Sequence, residues 1–441
     1  MTVIMPTGDK KSLGQTVYIN ARLIDPASGY DGPGGVITFA ETIQYVGPDI
    51  TTANAANDAE IVDCNGLCLC PGLVDFRVQL GSLEGTCRAA ASGGITSLVT
   101  LPDMDPIIDD PSIVEFIARR ARKLGLAKVY VFGAATKALK GEHLNEYGLL
   151  SEAGALGFSD GLHSIQNAQV MRQILSYAAT FDLLVACHPE NAELAANGVA
   201  TAGELTTRLG LTGIPIEAEV IHIERDIRIL EMTGGRLHIN NVSTAQGIEA
   251  IKAAKQKGLN ITCDTAPPYF ALNDGAINGY RTFAKLSPPL RPEQDREAII
   301  QAINDGTIDI ITSDHTPRDE ESKRLPFSEA AVGGVGLNTL LPVSLDLYHN
   351  GVMDLIDVIA LLTHAPARLL NLDAGQLTAG RPADMILFDP NRGWKVTETT
   401  LYSKSKNSPF DGRPVQGQVM LTIVDGRPVF KNNKFFHHHG I

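Results

Sequence analysis

Apolar and polar residues alternate in two different rhythms along this chain. Up to about residue 70, and again from about residue 372, short β-rich runs such as 36–39 and 43–46 are separated by turns rich in glycine and proline. Between these limits, apolar strands alternate with amphipathic helices; the helical pattern of residues 168–181, for example, leads into the apolar run 183–188. About eight such strand–helix units predict a parallel sheet closed into a barrel.

The pattern therefore predicts an α/β protein with two structural parts. Residues 71–371 are expected to form a (β/α)8 TIM barrel. Residues 1–70 and 372–441 are expected to form the N-terminal and C-terminal parts of a small β-sandwich domain, because both chain ends are β-rich and strands need partners. A chain of 441 residues with 44% hydrophobic residues is long enough for this architecture.

Charge and composition narrow the function classes. The formal net charge of −13 at pH 7 argues against nucleic acid or an anionic membrane as the main partner. The sequence shows neither a membrane-spanning apolar run nor a signal-peptide core, so a cytoplasmic protein is expected. The six cysteines lack the spacing of a disulfide framework. Cys68 and Cys70 share one face of a predicted strand, but no second Cys or His pair follows at zinc-site spacing, so small buried residues are favoured.

The run 71–80 has the strongest local pattern in the chain. Its apolar and polar positions alternate, a Pro71-Gly72 turn precedes it and Gly81 follows it, which predicts a buried strand that opens onto a loop. The run resembles the first barrel strand of the amidohydrolase superfamily, in which a His-x-His metal pair follows Pro-Gly-Leu-Ile-Asp. This chain has Arg77 and Gln79 at the two histidine positions.

Many further phrases, in the same order along the chain, resemble the dihydroorotase family of the amidohydrolases, and the likeness runs from about Val17 to Phe430. The matching phrases include 71–75, 88–96, 155–160, 286–291, 305–309, 312–317, 380–384 and 403–410. The resemblance implies an amidohydrolase-type barrel, and it implies function only where the site residues are also kept.

The resemblance implies a zinc site with an activated water and a proton-shuttling aspartate. Asp314 matches the shuttle, His188 matches a strand-end metal histidine, and Asp160 matches a carboxylate position. Three metal positions are lost: Arg77 and Gln79 replace the histidine pair, and Asn241 replaces the histidine before Val-Ser-Thr. Because arginine stays cationic, Arg77 is expected to repel a divalent ion.

Positions that the resemblance assigns to substrate binding are altered as well. Gly81 stands where the family has a carboxylate-binding arginine, and Asp103 stands where it has an asparagine. Ser287 replaces an asparagine before Pro-Pro-Leu-Arg, and Arg318 replaces the last histidine of Asp-His-Ala-Pro-His. Losses in this many loops predict a dismantled active site.

We therefore expect no metal cofactor, with Asp160, His188 and Asp314 as the residual candidates if one binds. Asp314 is expected to be a vestigial proton shuttle, and we predict that it pairs with Arg77. The remaining histidines His163, His222, His238 and His315 are interpreted as structural or surface residues. The terminal run His437–His439 can bind a transition metal, but a frayed terminus is favoured.

Two hypotheses from different classes follow. In the favoured one, the protein is an inactive dihydroorotase homologue of pyrimidine biosynthesis that acts as an assembly partner of aspartate carbamoyltransferase, a partner that the resemblance implies, and it forms homo-oligomers. In the alternative, it is an active zinc-dependent cyclic amidohydrolase that converts dihydroorotate to N-carbamoyl-aspartate with a reduced or altered metal site. A third, weaker hypothesis is a ligand-binding regulator that uses the old pocket.

Overall fold

A computed structural model describes residues 14–436 of the chain, so the His437–His439 run lies outside the described residues. Strands occupy both ends of the chain and alternate with helices between them. The strands before the barrel are β1 (Gln15–Asp25), β2 (Tyr30–Phe39), β3 (Thr42–Gly47), β4 (Glu60–Asp63) and β5 (Cys68–Pro71). The strands of the middle segment are β6 (Leu73–Val78), β7 (Ile95–Thr100), β8 (Lys128–Ala134), β9 (Ala155–Ser159), β10 (Leu184–Cys187), β11 (Ala200–Thr201), β12 (Gly213–Ile214), β13 (Arg236–Ile239), β14 (Ile261–Thr265) and β15 (Ile310–Ile311). The last strands are β16 (Met385–Lys395), β17 (Pro414–Val424), β18 (Arg427–Lys431) and β19 (Lys434–Phe435).

The α-helices all lie in the segment between β6 and β16. They are α1 (Leu83–Ser92), α2 (Pro111–Leu124), α3 (Tyr147–Glu152), α4 (Ala168–Ala179), α5 (Ala192–Ala195), α6 (Glu204–Leu209), α7 (Glu217–Thr233), α8 (Ala245–Gln256), α9 (Pro267–Ala271), α10 (Glu293–Asn304), α11 (Glu320–Arg324), α12 (Leu340–His349), α13 (Leu355–Leu362) and α14 (His364–Leu369). Within residues 14–436, no helix has the length and apolar character needed to cross a membrane.

The barrel prediction is confirmed. Eight parallel strands are hydrogen-bonded in the order β6, β7, β8, β9, β10, β13, β14 and β15. The first and last strands meet, because Val78 forms a parallel bridge with His315 and the Gln79 backbone N–H donates to the His315 carbonyl at 2.8 Å. The carboxyl ends of all eight strands therefore face one side, where barrel enzymes carry their chemistry.

The small β domain built from both chain ends is also confirmed. Its strands form one sheet in the order β19, β18, β17, β16, β5, β1, β2 and β3, with β4 added beside β1. The antiparallel pairing of β5 with β16 joins the two ends of the chain, and Met385 lies opposite Pro71. All six cysteines are buried free thiols, as expected for small core residues.

One helix boundary differs from the sequence pattern. Residues 355–370 predict a single helix, but the structure has two, α13 and α14, separated at Thr363 (φ −132°, ψ −79°). Pro366 explains the break, because a proline ring clashes with the carbonyl four residues earlier in a continuous helix. The Thr363 hydroxyl donates to the Ile359 carbonyl at 2.7 Å and stabilises the end of α13.

Candidate active site at the carboxyl end of the barrel

Strand β6 carries the two substituted metal positions into the barrel. All six of its residues are buried, and Phe76 packs against Phe132 and His238 with ring-centroid distances of 5.2 and 4.5 Å. Side chains two apart on a strand share a face, so Asp75, Arg77 and Gln79 point the same way. The polar face of β6 therefore lies among the strand ends of the barrel.

Arg77 and Asp314 form an ion pair in the barrel interior, which confirms the predicted pairing. Their side chains are only 1% and 5% exposed. The Tyr269 hydroxyl lies 3.5 Å from the second carboxylate oxygen of Asp314. Asp314 adopts a left-handed backbone (φ 50°), a conformation that aspartate tolerates better than most residues. Asp314, which the resemblance matches to a proton-shuttling aspartate, is thus paired with a cationic residue of this chain.

Gln79 is bound to Asp103, so two altered positions contact each other. The Gln79 side-chain amide donates to the Asp103 carboxylate at 2.9 Å and to its carbonyl at 3.3 Å. The Leu162 backbone N–H donates to the same carboxylate oxygen at 3.2 Å. Burial raises the pKa of Asp103, and the backbone bond from Leu162 opposes that shift. Gln79 and Leu162 thus bind one oxygen of Asp103, Oδ2, while Oδ1 has no hydrogen-bond partner among residues 14–436.

Asp160 lies at the end of β9, where the loop after β8 holds its carboxylate. Thr136 donates its backbone N–H at 2.9 Å to one oxygen and its hydroxyl to the other. Burial raises the pKa of Asp160 to about 6, against the lowering effect of the bonds from Thr136. Both carboxylate oxygens are thereby engaged by one threonine.

His188 follows β10 and is buried. Its Nε2 atom lies 3.0 Å from the Ser287 hydroxyl. A residue that the resemblance matches to a metal ligand thus contacts one that it matches to a substrate-binding position. Its Nδ1 atom has no partner among residues 14–436. Burial, followed by the nearby charge of Arg77, holds the pKa of His188 well below its usual range. The imidazole is therefore neutral at physiological pH.

Asn241 follows β13 and adopts a left-handed backbone (φ 49°). Its backbone N–H donates to the Asp264 carboxylate at 2.5 Å, while both polar atoms of its side chain are buried without a partner in the described part of the chain. Asp264 also lies 3.1 Å from His238 Nε2. The interpretation of His238 as structural agrees with this buried contact.

These side chains do not fit a zinc ion. Within residues 14–436, no three His, Cys, Asp or Glu side chains converge on a common point suited to a metal. Catalytic zinc takes three protein ligands. Here the Asp314 carboxylate is paired with a guanidinium, and the Asp160 carboxylate is occupied by Thr136. We therefore derive no reaction step through a metal.

Gly81 and Arg318 line a cleft of about 610 Å³ between the loop after β15 and residues 403–407. Burial lowers the pKa of Arg318, and the nearby carboxylate of Asp103 opposes that shift. Arg77, Gln79 and Asn241 do not line that cleft. The structure thus places four altered positions in the Arg77–Asp314, Gln79–Asp103 and His188–Ser287 contacts. Asn241 contacts Asp264, and the remaining two positions, Gly81 and Arg318, line the cleft.

A buried polar cluster around Glu219 of α7 was not predicted from the sequence. The Glu219 carboxylate accepts hydrogen bonds from both Ser243 and Thr244 and pairs with Arg291 at 3.2 Å. Ser243 and Thr244 belong to the Val-Ser-Thr phrase, and Arg291 ends the phrase 286–291. The signal was present as polar residues in otherwise buried segments, but sequence gives no sign that α7 supplies their acid.

Comparison with known proteins identifies the ancestry of this arrangement. The family described as "Dihydro-orotase-like" matches residues 66–247. The chain is 41% identical to a dihydroorotase of Syntrophotalea carbinolica over 420 residues, covering 93% of this chain and 98% of that protein. It is also 41% identical to a dihydroorotase of Anaplasma phagocytophilum over 425 residues, covering 94% and 95%.

Solved structures show the same fold at lower sequence identity. The L-hydantoinase of Arthrobacter aurescens superposes with a TM-score of 0.84 at 23% identity, covering 96% of this chain and 97% of that one. The dihydropyrimidinase of Brevibacillus agri gives 0.82 at 22% identity, covering 97% of both chains. These likenesses confirm the amidohydrolase-type barrel, and the sequence relatives establish the narrower group: the chain belongs to the dihydroorotase family.

Proposed function

We propose that this protein is a catalytically inactive dihydroorotase homologue that serves pyrimidine biosynthesis as an assembly partner. The observation that carries the proposal is the buried Arg77–Asp314 ion pair. In the family resemblance, Arg77 stands at the first zinc-ligand position and Asp314 at the proton-shuttle position. One substitution thereby removes a ligand and neutralises the base.

Electrostatics supports the absence of zinc chemistry. Two unit charges about 4 Å apart interact with about 4 kcal/mol at the effective dielectric constant of about 20 that suits protein sites. For each of its two charges, a divalent ion at that distance from the Arg77 guanidinium is therefore destabilised by about 4 kcal/mol. Asp314 is the nearest compensating acid, and it is already paired.

The proposed partner is an aspartate carbamoyltransferase, in a cytoplasmic complex in which this chain is also homo-oligomeric. This part rests on the family resemblance, in which inactive homologues associate with that enzyme.

The alternative is an active cyclic amidohydrolase that hydrolyses dihydroorotate with an altered metal site. Two observations favour it. The relatives at about 41% identity are named dihydroorotases, and Asp160, His188 and Asp314 all remain at the carboxyl end of the barrel. Under this hypothesis zinc is the cofactor, and Asp314 has to leave Arg77 before it can move a proton.

Purified full-length protein tests the two functions directly. Metal content is measured after exchange into zinc-containing and zinc-free buffers. Hydrolysis of dihydroorotate and the reverse ring closure of N-carbamoyl-aspartate are both assayed. The proposal expects less than one tenth of an equivalent of tightly bound zinc and no turnover above buffer. Stoichiometric zinc with turnover that disappears in an Asp314→Asn variant would establish the alternative instead.

The assembly role needs a separate measurement. The chain is co-expressed with the aspartate carbamoyltransferase of the same organism, and the mass of the purified material is measured by light scattering. A complex of fixed stoichiometry that raises or stabilises carbamoyltransferase activity is expected. Two separate species at micromolar concentrations would contradict the partner assignment.

A further inference from the structure

The proposed function leaves a cleft of about 610 Å³ in the surface unexplained. It lies between the loop after β15, the start of α1 and residues 403–407. Buried residues form its floor and exposed residues form its rim. Its floor includes His315, Lys323, Ser403, Asn407 and the half-buried Arg318, and its rim includes Asp319, Glu320, Glu321, Glu398, Lys404 and Asp411.

His315 presents a hydrogen-bond donor that lacks a partner. The Gly336 backbone N–H donates to His315 Nδ1 at 3.2 Å, so Nδ1 is an acceptor and the proton of the neutral ring is on Nε2. The residue is 1% exposed, and Nε2 contacts no acceptor among residues 14–436. A buried donor left unbonded costs about 1–3 kcal/mol, which an acceptor atom of a ligand would recover.

Arg318 supplies a positive charge of the floor, near the carboxylates of Asp103 and Asp319. Its Nε donates to the Val332 carbonyl at 2.7 Å, which fixes the side chain, and no described residue accepts a hydrogen bond from its terminal nitrogens. Lys323 differs, because its ammonium already donates to three backbone carbonyls at 2.7 to 3.3 Å. A planar guanidinium held in this way is suited to a carboxylate.

The rim has the opposite charge. Five exposed carboxylates lie there against one exposed lysine, Lys404. Asp319 caps α11 by accepting from the Ser322 N–H at 2.7 Å, and Glu320 pairs with Arg324. Glu321 and Glu398 form no ion pair within the described residues, so their charges face solvent at the cleft mouth.

We propose that this cleft binds a small amino acid zwitterion, with its carboxylate on Arg318 and His315 and its ammonium group among the rim carboxylates. The opposite charges of floor and rim select a ligand that carries both charges, because a simple anion meets the acidic rim on entry and a simple cation meets Arg318 within. The volume lies in the usual range for small-molecule sites. The inference goes beyond the proposed function, because an assembly partner needs no small-molecule ligand. It involves binding only, and no covalent bond is formed or broken.

Isothermal titration of the full chain with a length series tests the charge pattern. The probes are glycine, β-alanine, γ-aminobutyrate and ε-aminocaproate, with butyrate and butylamine as carriers of one charge each. At least one zwitterion is expected to bind saturably and about tenfold or more tighter than either single-charge analogue. Equal binding of butyrate and the best zwitterion, or saturable binding by none of the probes, overturns the proposal.

Three variants assign the two ends of the ligand. Arg318→Gln is expected to weaken the best zwitterion about tenfold, the loss of one charged hydrogen-bond contact. Glu321→Gln combined with Glu398→Gln is expected to weaken the zwitterion but to leave butyrate unchanged or tighter. Lys404→Gln makes the same charge change as Arg318→Gln at the rim, and it is the matched control that should retain affinity.

Thermal unfolding of each variant shows whether it is folded before the titration is interpreted. If Arg318→Gln unfolds, the rim variants still decide the matter, because Glu321 and Glu398 are exposed. Identical affinities in the rim variants and the unmodified chain would overturn the two-ended site. Dihydroorotate hydrolysis is assayed separately, so a failure of this inference is distinguishable from a failure of the proposed function.

Discussion

Arg77 at the end of the first barrel strand and Asp314 just after the last strand are joined in a buried ion pair across the seam where the barrel closes. Two neighbouring contacts reinforce the same seam. The Ser313 N–H donates to the Asp75 carboxylate at 3.0 Å, and the Gln79 N–H donates to the His315 carbonyl at 2.8 Å. Arg77, which the family resemblance places at a metal-ligand position, therefore makes a structural contact where the barrel closes.

Replacing Arg77 alone is expected to destabilise the barrel strongly. An Arg77→Met variant leaves the Asp314 carboxylate buried without its counter-charge, and breaking such a pair costs about 3–5 kcal/mol. In an Arg77→Met/Asp314→Asn double variant no unpaired charge remains, so we expect it to recover at least about 2 kcal/mol of that loss. Urea unfolding at pH 7 measures both; equal destabilisation of the single and double variants would contradict a charge-pairing role.

If the proposed function holds, placing histidines at the three altered metal positions is expected to create zinc binding. A variant with Arg77→His, Gln79→His and Asn241→His places three imidazoles at strand ends beside Asp314, and catalytic zinc needs three protein ligands. We expect about one equivalent of bound zinc by atomic absorption. Gln79→His alone is the matched control and should bind none tightly. Retention of one zinc equivalent by the unmodified chain would show that Arg77 does not exclude the metal.

The barrel and the substituted strand ends were predictable from sequence for a physical reason. Strand and helix periods are local properties, and parallel strands bring their carboxyl ends to one side of a barrel. Arg77 and Asp314 could therefore be placed together, and their pairing was predicted. The two-domain arrangement followed in the same way from the β-rich chain ends.

Contacts that depend on loop conformation were not predictable. The Gln79–Asp103 bond needs the particular path of the loop after β7, and the Asn241–Asp264 bond needs the left-handed backbone of Asn241. No periodic pattern encodes either feature. The split between α13 and α14 was missed for a different reason, because the apolar period continues through Pro366 although the hydrogen bonds cannot.

Asp160 is expected to make the protein less stable as pH rises from 4 to 7. Burial raises its folded-state pKa to about 6, above the value near 4 of an unfolded aspartate. Between these values the folded state binds the extra proton, so the free energy of unfolding falls with increasing pH. The shift of about two pKa units corresponds to about 3 kcal/mol over this window.

An Asp160→Asn variant isolates this contribution. Its free energy of unfolding relative to that of the unmodified chain should increase by about 3 kcal/mol between pH 4 and pH 7. The variant also loses a hydrogen bond from Thr136, but that cost is the same at every pH and does not change this increase. Comparing the two proteins at each pH cancels the titration of other buried groups, including His188 and Asp75. Urea unfolding at four pH values provides the measurement, and parallel stability curves for the two proteins would contradict the assignment.

Lys323 lies between β15 and α12 and is expected to stabilise the packing of that segment against residues 282–285. Its buried ammonium donates to the carbonyls of Thr282, Lys285 and Ala331, while burial lowers its pKa to about 7. In a Lys323→Met variant these three carbonyls lose the bond from the ammonium, at roughly 1 kcal/mol each. The Thr282 and Lys285 carbonyls keep a second, backbone donor at 3.0 Å, from the N–H groups of Lys285 and Gly333. Lys285→Met is the matched control, because Lys285 is also buried but donates to a single carbonyl, that of Ser328 at 3.0 Å.

We expect Lys323→Met to lower the free energy of unfolding by about 2 kcal/mol more than Lys285→Met and to increase hydrogen exchange in residues 282–285 and 328–333. Equal effects of the two variants would show that the three-carbonyl arrangement contributes no more than an ordinary buried lysine.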